Sequence, residues 1–176
     1  MIFTSIDFIV FFIFILGVVA IVKHRKFQHL ILLGGSYYFF YFSSNYLIVL
    51  LIFSTILDFY LAKLIYSTDN IFRKKLFLII SLVGNLGLLG FFKYSDFAIL
   101  QFNILGNYFD VGANIPFINL ILPLGISFYT FQTISYTIDV YRGTLKPSKT
   151  FSEFALFVAF FPQLVAGPIL RAKQFL

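Results

Sequence analysis

The chain has no cysteine, and that absence removes a good deal of chemistry. Disulfides, thiolate nucleophiles and cysteine-held metals are excluded, although no compartment follows from it. Charge is nearly as scarce: only 11% of residues are charged, with 7 acidic side chains and 2 histidines. His24 and His29 flank a basic loop, without the pocket and orienting partner that a general base needs. With no carboxylate nearby they also make a poor metal-ligand set, so neither a metal nor a catalytic residue is assigned. No phosphate-binding glycine loop, serine–histidine–acid arrangement or dinucleotide fingerprint occurs.

What is present is apolar. Of 176 residues, 60% are hydrophobic and 22% aromatic, and mean hydropathy is +0.96. A soluble domain is nearer half apolar and a quarter charged. The class is therefore an all-α, polytopic membrane bundle, and at about 20 residues per crossing the length allows about five to seven spans. No ten-residue alternation suggests a β-barrel. Apolar runs predict spans at about 2–22, 29–42, 46–66, 76–92 and 118–142. An external loop is expected over 94–117, with one interfacial helix near 95–105, and a broken or re-entrant segment over 151–170. The first run has no basic stretch before it and no small-residue cleavage pattern after it, and it reads as a retained span. Gly34-Gly35 and the spacing Gly84, Gly87, Gly90 suit close helix packing. Asp58 interrupts the third run; a carboxylate there is a functional candidate, and its structural reading is a pairing with Lys63 or with a residue of the polar stripe in 123–143.

The net charge of +6 is distributed as an orientation signal rather than as a nucleic-acid surface. Lys23, Arg25 and Lys26 follow the first span, Lys63 and Arg73 to Lys75 the third, and Arg142, Lys146 and Lys149 the fifth. All fall on one side, which the positive-inside rule makes cytoplasmic, with the N-terminus outside.

One stretch, 123–143, reading PLGISFYTFQTISYTIDVYRG, is apolar enough for a bilayer yet dense in polar groups. On a helix, Gly125, Tyr129, Gln132, Tyr136, Asp139 and Gly143 recur at steps of three and four, with Ser135 and Arg142 beside them. Phe131, Ile134, Ile138 and Tyr141 form a roughly opposite face. A polar stripe in a membrane is costly unless it faces a bundle interior or a wet cavity. Tyr129, Gln132, Ser135, Tyr136, Asp139 and Arg142 are therefore candidates for lining a substrate channel. The competing reading is helix–helix glue, and Asp139 with Arg142 also suits an ion pair.

This stretch, followed by FSEFALFVAFFPQLVAGPILR at 151–171, resembles the N-terminal half of the membrane-bound O-acyltransferase family, in particular its alginate O-acetyltransferase-like branch. The resemblance covers roughly 30–176 and is tightest from Pro123 onward. It implies transfer of an acyl group, acetyl in the favoured reading, to a hydroxyl of an extracytoplasmic polysaccharide or cell-wall glycan. It implies a bacterial cytoplasmic-membrane location and no bound cofactor. An acyl-CoA or acyl carrier thioester would be the donor. The lipid bilayer, a glycan acceptor, and an acyl carrier protein or extracytoplasmic acetylation proteins would be the partners, with no nucleic acid. D-alanyl transfer to teichoic acid is the neighbouring alternative, and a non-catalytic scaffold or permease-like bundle the alternative of another class. The family's catalytic histidine is expected downstream of residue 176, so that this stretch supplies channel wall and is inactive alone. Pro168 and Arg171 join the channel candidates, as a broken backbone and a cation for an anionic donor.

Overall fold

A computed structural model describes residues 5–109, 114–166 and 172–175. Three helices begin where the sequence supplies a side-chain cap. Ser5 accepts from the Phe8 amide and starts α1, Ile6–Ile21. Asn70 accepts from the amides of Phe72 and Arg73 and starts α4, Ile71–Tyr108. Thr150 accepts from the Glu153 amide and starts α6, Phe151–Ala159. These side chains meet donors that the first helical turn leaves unpaired. Between them lie α2, Arg25–Ser44, a 3-10 turn at Asn45–Leu47, α3, Ile48–Ser67, and α5, Ile126–Tyr141. Two short helices, α7 at Phe161–Ala166 and α8 at Ala172–Phe175, complete the described elements. No strand occurs among the described residues.

Two helical stretches are long and apolar enough to cross a membrane. They are Arg25–Ser67, which joins α2 and α3 through the 3-10 turn, and Ile71–Tyr108. Large apolar side chains face outward along both and along α1; Ile6 is 78% exposed and Phe72 76%. So much contiguous apolar surface needs lipid or a partner. Helices α3, α4 and α5 pack on one another, and α6 fills the space between α2, α3 and α5. Phe154 through Ala159 are all buried there.

Helix boundaries differ from expectation most in α4, α5 and α2, and α4 also starts at Ile71 rather than at 76. α4 does not end at Lys93 but runs on for 38 residues in all, about 57 Å. It absorbs the separate helix expected near 95–105. Ser95, Asp96 and Gln101 are polar yet compatible with a helix, and the first proline after Lys93 is Pro116. α5, in contrast, begins only at Ile126, so the start of the expected 118–142 span is not helical. Pro116 and Pro123 bracket that stretch, and α4 side chains take up its backbone groups. The Asn103 carboxamide exchanges two hydrogen bonds with Ile115, and the Asp96 carboxylate accepts from the amides of Ile118 and Asn119. Finally, α2 takes in 25–28 and 43–44 as well as the expected 29–42.

The expected break at 151–170 is present in its described part. A continuous helix would place the Pro162 ring against the Val158 carbonyl, and Pro162 has no amide hydrogen to donate. The chain turns at Phe160, and Pro162 sits in the first turn of α7. Of the expected glycine contacts, Gly84 is real: a Cβ there would meet Leu57 Cδ2 at 2.8 Å. Gly87 and Gly90 face open space. A Cβ on Gly35 would meet Ile15 of α1 at 3.0 Å.

Candidate functional site

The polar stripe is carried by α5, and glycine shapes both its ends. Gly125 caps the start at φ +66°, while the preceding Leu124 amide donates to Ser44 Oγ at the end of α2. At the other end Gly143 has φ +74°. Its amide bonds to the Val140 carbonyl and the Thr144 amide to the Asp139 carbonyl, the Schellman closure that favours glycine. Two members of the expected stripe are thus helix caps.

Three others reach the interior. Tyr129 sets its ring edge against Phe40 of α2, with centroids 6.2 Å apart. Gln132 Nε2 donates to the Phe157 carbonyl of α6 at 2.7 Å. The Tyr136 ring lies 4.4 Å from Phe154, and its hydroxyl accepts from the Ser148 amide at 3.0 Å. All three are buried among α2 and α6 and turned away from the outer surface. Ser135 is half-buried and returns its hydroxyl to the Gln132 carbonyl of its own helix at 2.8 Å. Asp139 closes the helix end, its carboxylate meeting Thr144 Oγ1 at 3.5 Å, and Arg142 is exposed at the C-cap. Pro168 and Arg171 lie outside the described residues.

One turn-face away is a second polar row that the sequence reading missed. Thr130, Thr133 and Thr137 are fully buried against α3 and α4. At its centre is Asp58, with no exposed surface. Ser81 Oγ donates to Asp58 Oδ1 in a short contact, Thr137 Oγ1 to the same oxygen at 3.4 Å, and Asn85 Nδ2 to Oδ2 at 2.7 Å. Asn85 also donates to the Ser81 carbonyl, and its Oδ1 accepts from Thr133. Asp58 therefore pairs with none of the residues expected of it: Lys63 Nζ lies 4.2 Å over the Phe59 ring instead. Threonine reads as neutral in composition; the signals present were Asp58, Asn85 and a threonine triplet at steps of three and four, with nothing local to pair them.

Not every buried polar atom is satisfied. Gln132 Oε1 has no partner, and neither does Oε1 or Nε2 of Gln163, on α7. At the basic end of the bundle, His29, Glu153, Leu156 and Phe175 line a pocket of about 100 Å³. An adjoining groove of about 330 Å³ runs along Leu145 to Lys149 and shares Glu153. Among the described residues no group of three His, Cys, Asp or Glu could hold a metal.

No family model and no solved structure matches the chain. Curated relatives do. A Pseudomonas aeruginosa protein named probable alginate O-acetylase is 46% identical over 99 residues, 55% of this chain and 18% of its own length. Its Azotobacter vinelandii counterpart is 44% identical over 99 residues, 55% of this chain and 19% of that protein. A Helicobacter pylori peptidoglycan O-acetyltransferase is 36% identical over 146 residues, 69% of this chain and 27% of that protein. The chain is similar to O-acetyltransferases of alginate and peptidoglycan. The likeness to membrane-bound O-acyltransferases carried by the two motifs is thereby borne out. The chain spans only 18 to 27% of the length of these relatives. The relatives and the outward apolar helices together point to a membrane protein.

Proposed function

We propose that the protein of which this chain is a part moves an acetyl group from a thioester donor to a hydroxyl of an extracytoplasmic polysaccharide or cell-wall glycan. In that transfer the hydroxyl oxygen forms the new C–O bond and the acyl C–S bond breaks. The hydroxyl proton ends on the released thiol. The observation that carries the reading is the inward polar face of α5, where Gln132 keeps a free oxygen deep among apolar neighbours. The named chemistry of the relatives supports it. The donor would be acyl-CoA or an acyl carrier thioester, arriving from the cytoplasm.

Topology supports the same reading. His29 near the start of α2 and Glu153 near the start of α6 share a pocket, whereas Ser44 at the end of α2 meets Leu124 just before α5. The loops at the His29 end carry Lys23 to Lys26 and Arg142 to Lys149, which the positive-inside rule assigns to the cytoplasm. Five crossings with the N-terminus outside, and the α6–α7 segment entering from the cytoplasmic side, follow from that assignment. The lysine-lined groove at this end suits an anionic donor.

The test uses the whole protein in proteoliposomes, with a radiolabelled acetyl thioester inside and a glycan outside. Label should appear as a base-labile ester on the glycan. Gln132→Leu should cut transfer about tenfold or more, as expected when a buried hydrogen-bond partner is lost. Tyr108→Phe, at a side chain 81% exposed, should leave it unchanged. A wild-type protein that never labels any glycan would overturn the proposal.

A further inference from the structure

Two adjoining hollows lie on the outer face of the α1–α2 pair. One, of about 510 Å³, sits between Asp7, Val10, Phe11 and Phe14 of α1 and Tyr38 and Phe42 of α2. The other, of about 390 Å³, sits between Phe11, Phe14 and Ile15 of α1 and Gly34, Gly35 and Tyr38 of α2. Phe11, Phe14 and Tyr38 border both, so the two form one groove. It follows the helix axes for about 12 Å, the helical rise from Asp7 to Ile15.

Its floor and its rim differ. Gly35 is explained by packing, since a Cβ there would meet Ile15. Gly34 is not: a Cβ there would meet nothing within 4 Å. Glycine inside a helix is destabilising relative to alanine, and here no neighbour requires it. Its effect is to leave the floor of the groove open. Along the rim, Val10, Phe14, Tyr38 and Phe42 are each more than half exposed. Phe11 and Tyr38 hold the two helices together between them, with ring centroids 5.6 Å apart.

That shape selects its occupant. Within a membrane, helices meet closely where small residues let their backbones approach. Here large side chains stand beside the glycine floor and hold another backbone off. A polymethylene chain is slim enough to lie between them. Left empty, the groove would forfeit the dispersion contacts of its lining. Lipid tails are as apolar as the groove, so burial alone favours no particular lipid. The preference comes from Asp7, exposed at one end. α1 carries no basic residue, and those of α2 are Arg25, Lys26 and His29 at its opposite end, so neither helix offers the carboxylate a cation. An acid in the first turn of α1 also suits the helix dipole, but that role needs no groove beside it. We propose that the α1–α2 groove binds a phospholipid whose headgroup carries an ammonium, with one acyl chain over Gly34 and the ammonium at Asp7. The topology proposed above makes this an outer-leaflet lipid; the site itself does not depend on acetyl transfer.

The experiment uses the whole protein in nanodiscs containing phosphatidylethanolamine or phosphatidylglycerol with a photoreactive acyl chain. Peptide mass spectrometry then locates the label. In the wild type it should fall within 7–15 and 34–42, about threefold more from the ethanolamine lipid, the scale of one exposed ion pair. Asp7→Asn should keep the labelling and abolish that preference. Gly34→Leu fills the floor and should cut labelling of the groove about tenfold, with Gly34→Ala in between. Thermal unfolding in lipid-free detergent checks that these variants fold, as the open space at Gly34 leads us to expect. Labelling that ignores both the headgroup and Gly34→Leu is ordinary lipid contact and overturns the proposal. So does a preference for the ethanolamine lipid that survives Asp7→Asn. A wild-type groove that takes no label is covered by protein instead, which overturns it equally.

Discussion

The Asp58 node offers the sharpest test of how this bundle is held. In Asp58→Leu the branched shape is kept, with methyls bulkier than the carboxylate oxygens, but the acceptors for Ser81, Asn85 and Thr137 vanish together. Interhelical hydrogen bonds within membranes contribute about 0.6 kcal/mol each on average, so three account for about 2 kcal/mol. Ser81 and Thr137 can turn their hydroxyls to carbonyls of their own helices, which limits their loss. Asn85 retains the Ser81 carbonyl for one of its hydrogens and strands the other, adding about 1–2 kcal/mol. The expected cost is therefore about 3–4 kcal/mol, read as a lowered thermal midpoint of the whole protein in detergent. Asp58→Asn keeps one acceptor but sets its NH₂ against that of Asn85, and should cost about 1 kcal/mol. Adding Asn85→Asp to Asp58→Asn restores one carboxylate and one carboxamide across the α3–α4 contact, and should recover most of that. An Asp58→Leu protein as stable as wild type, or more so, would refute the reasoning. The carboxylate would then be a liability that hydrophobic packing improves on, as is known for some buried ionic groups.

Three further outcomes are expected in the same unfolding assay. Gly143→Ala should lose about 1 kcal/mol, because φ is +74° and the surrounding space is open, so strain alone acts. Gly84→Ala should fall between neutral and a loss of about 2 kcal/mol. Its Cβ displaces Leu57 Cδ2 from 2.8 Å, an overpacking cost of about 1–3 kcal/mol, against a helix-propensity gain of about 1 kcal/mol. Gly84→Val should be clearly worse, and Leu57→Ala should relieve it. Thr150→Ala should remove the α6 cap and lose about 1 kcal/mol; if Thr150→Ala matches wild type, the cap contributes nothing to α6.

Apolar runs revealed the helices because lipid-facing and core-facing sides are both hydrophobic here, so length alone marks an element. The same fact hid the helix ends. Nothing in the apolar pattern distinguishes Lys93 inside α4 from a loop lysine, and the polar count over 94–108 imitated a loop. The late start of α5 was written in Pro116, Pro123 and Gly125, but depends on Asp96 and Asn103 reaching across from α4. Such pairings link residues 12 to 23 positions apart and have no local signature. The break at Phe160 was legible because proline acts on its own helix. The inward placement of Tyr129, Gln132 and Tyr136 followed from spacing; the Asp58 partners did not, since they sit on two other helices, α4 and α5.

The α5 helix shows why a polar stripe alone cannot separate adhesive from receptive surface. Its two buried rows, Tyr129–Gln132–Tyr136 and Thr130–Thr133–Thr137, are one residue out of step, about 100° around the axis. The threonine row is saturated: Thr133 and Thr137 are bonded, and every polar atom they meet on Asp58 and Asn85 is matched. Threonine suits that task, since a short hydroxyl can serve a neighbouring helix or its own backbone. The other row is held at two points, through Tyr136 on Ser148 and Gln132 on Phe157, and is unfinished at a third, Gln132 Oε1. A face meant only to bind helices together has no use for a long amide with one end empty, because leucine would pack as well without the penalty. The saturated row thus fixes the rotation of α5 against α3 and α4. That rotation in turn holds the unfinished row towards α6, where Gln132 meets the Phe157 carbonyl.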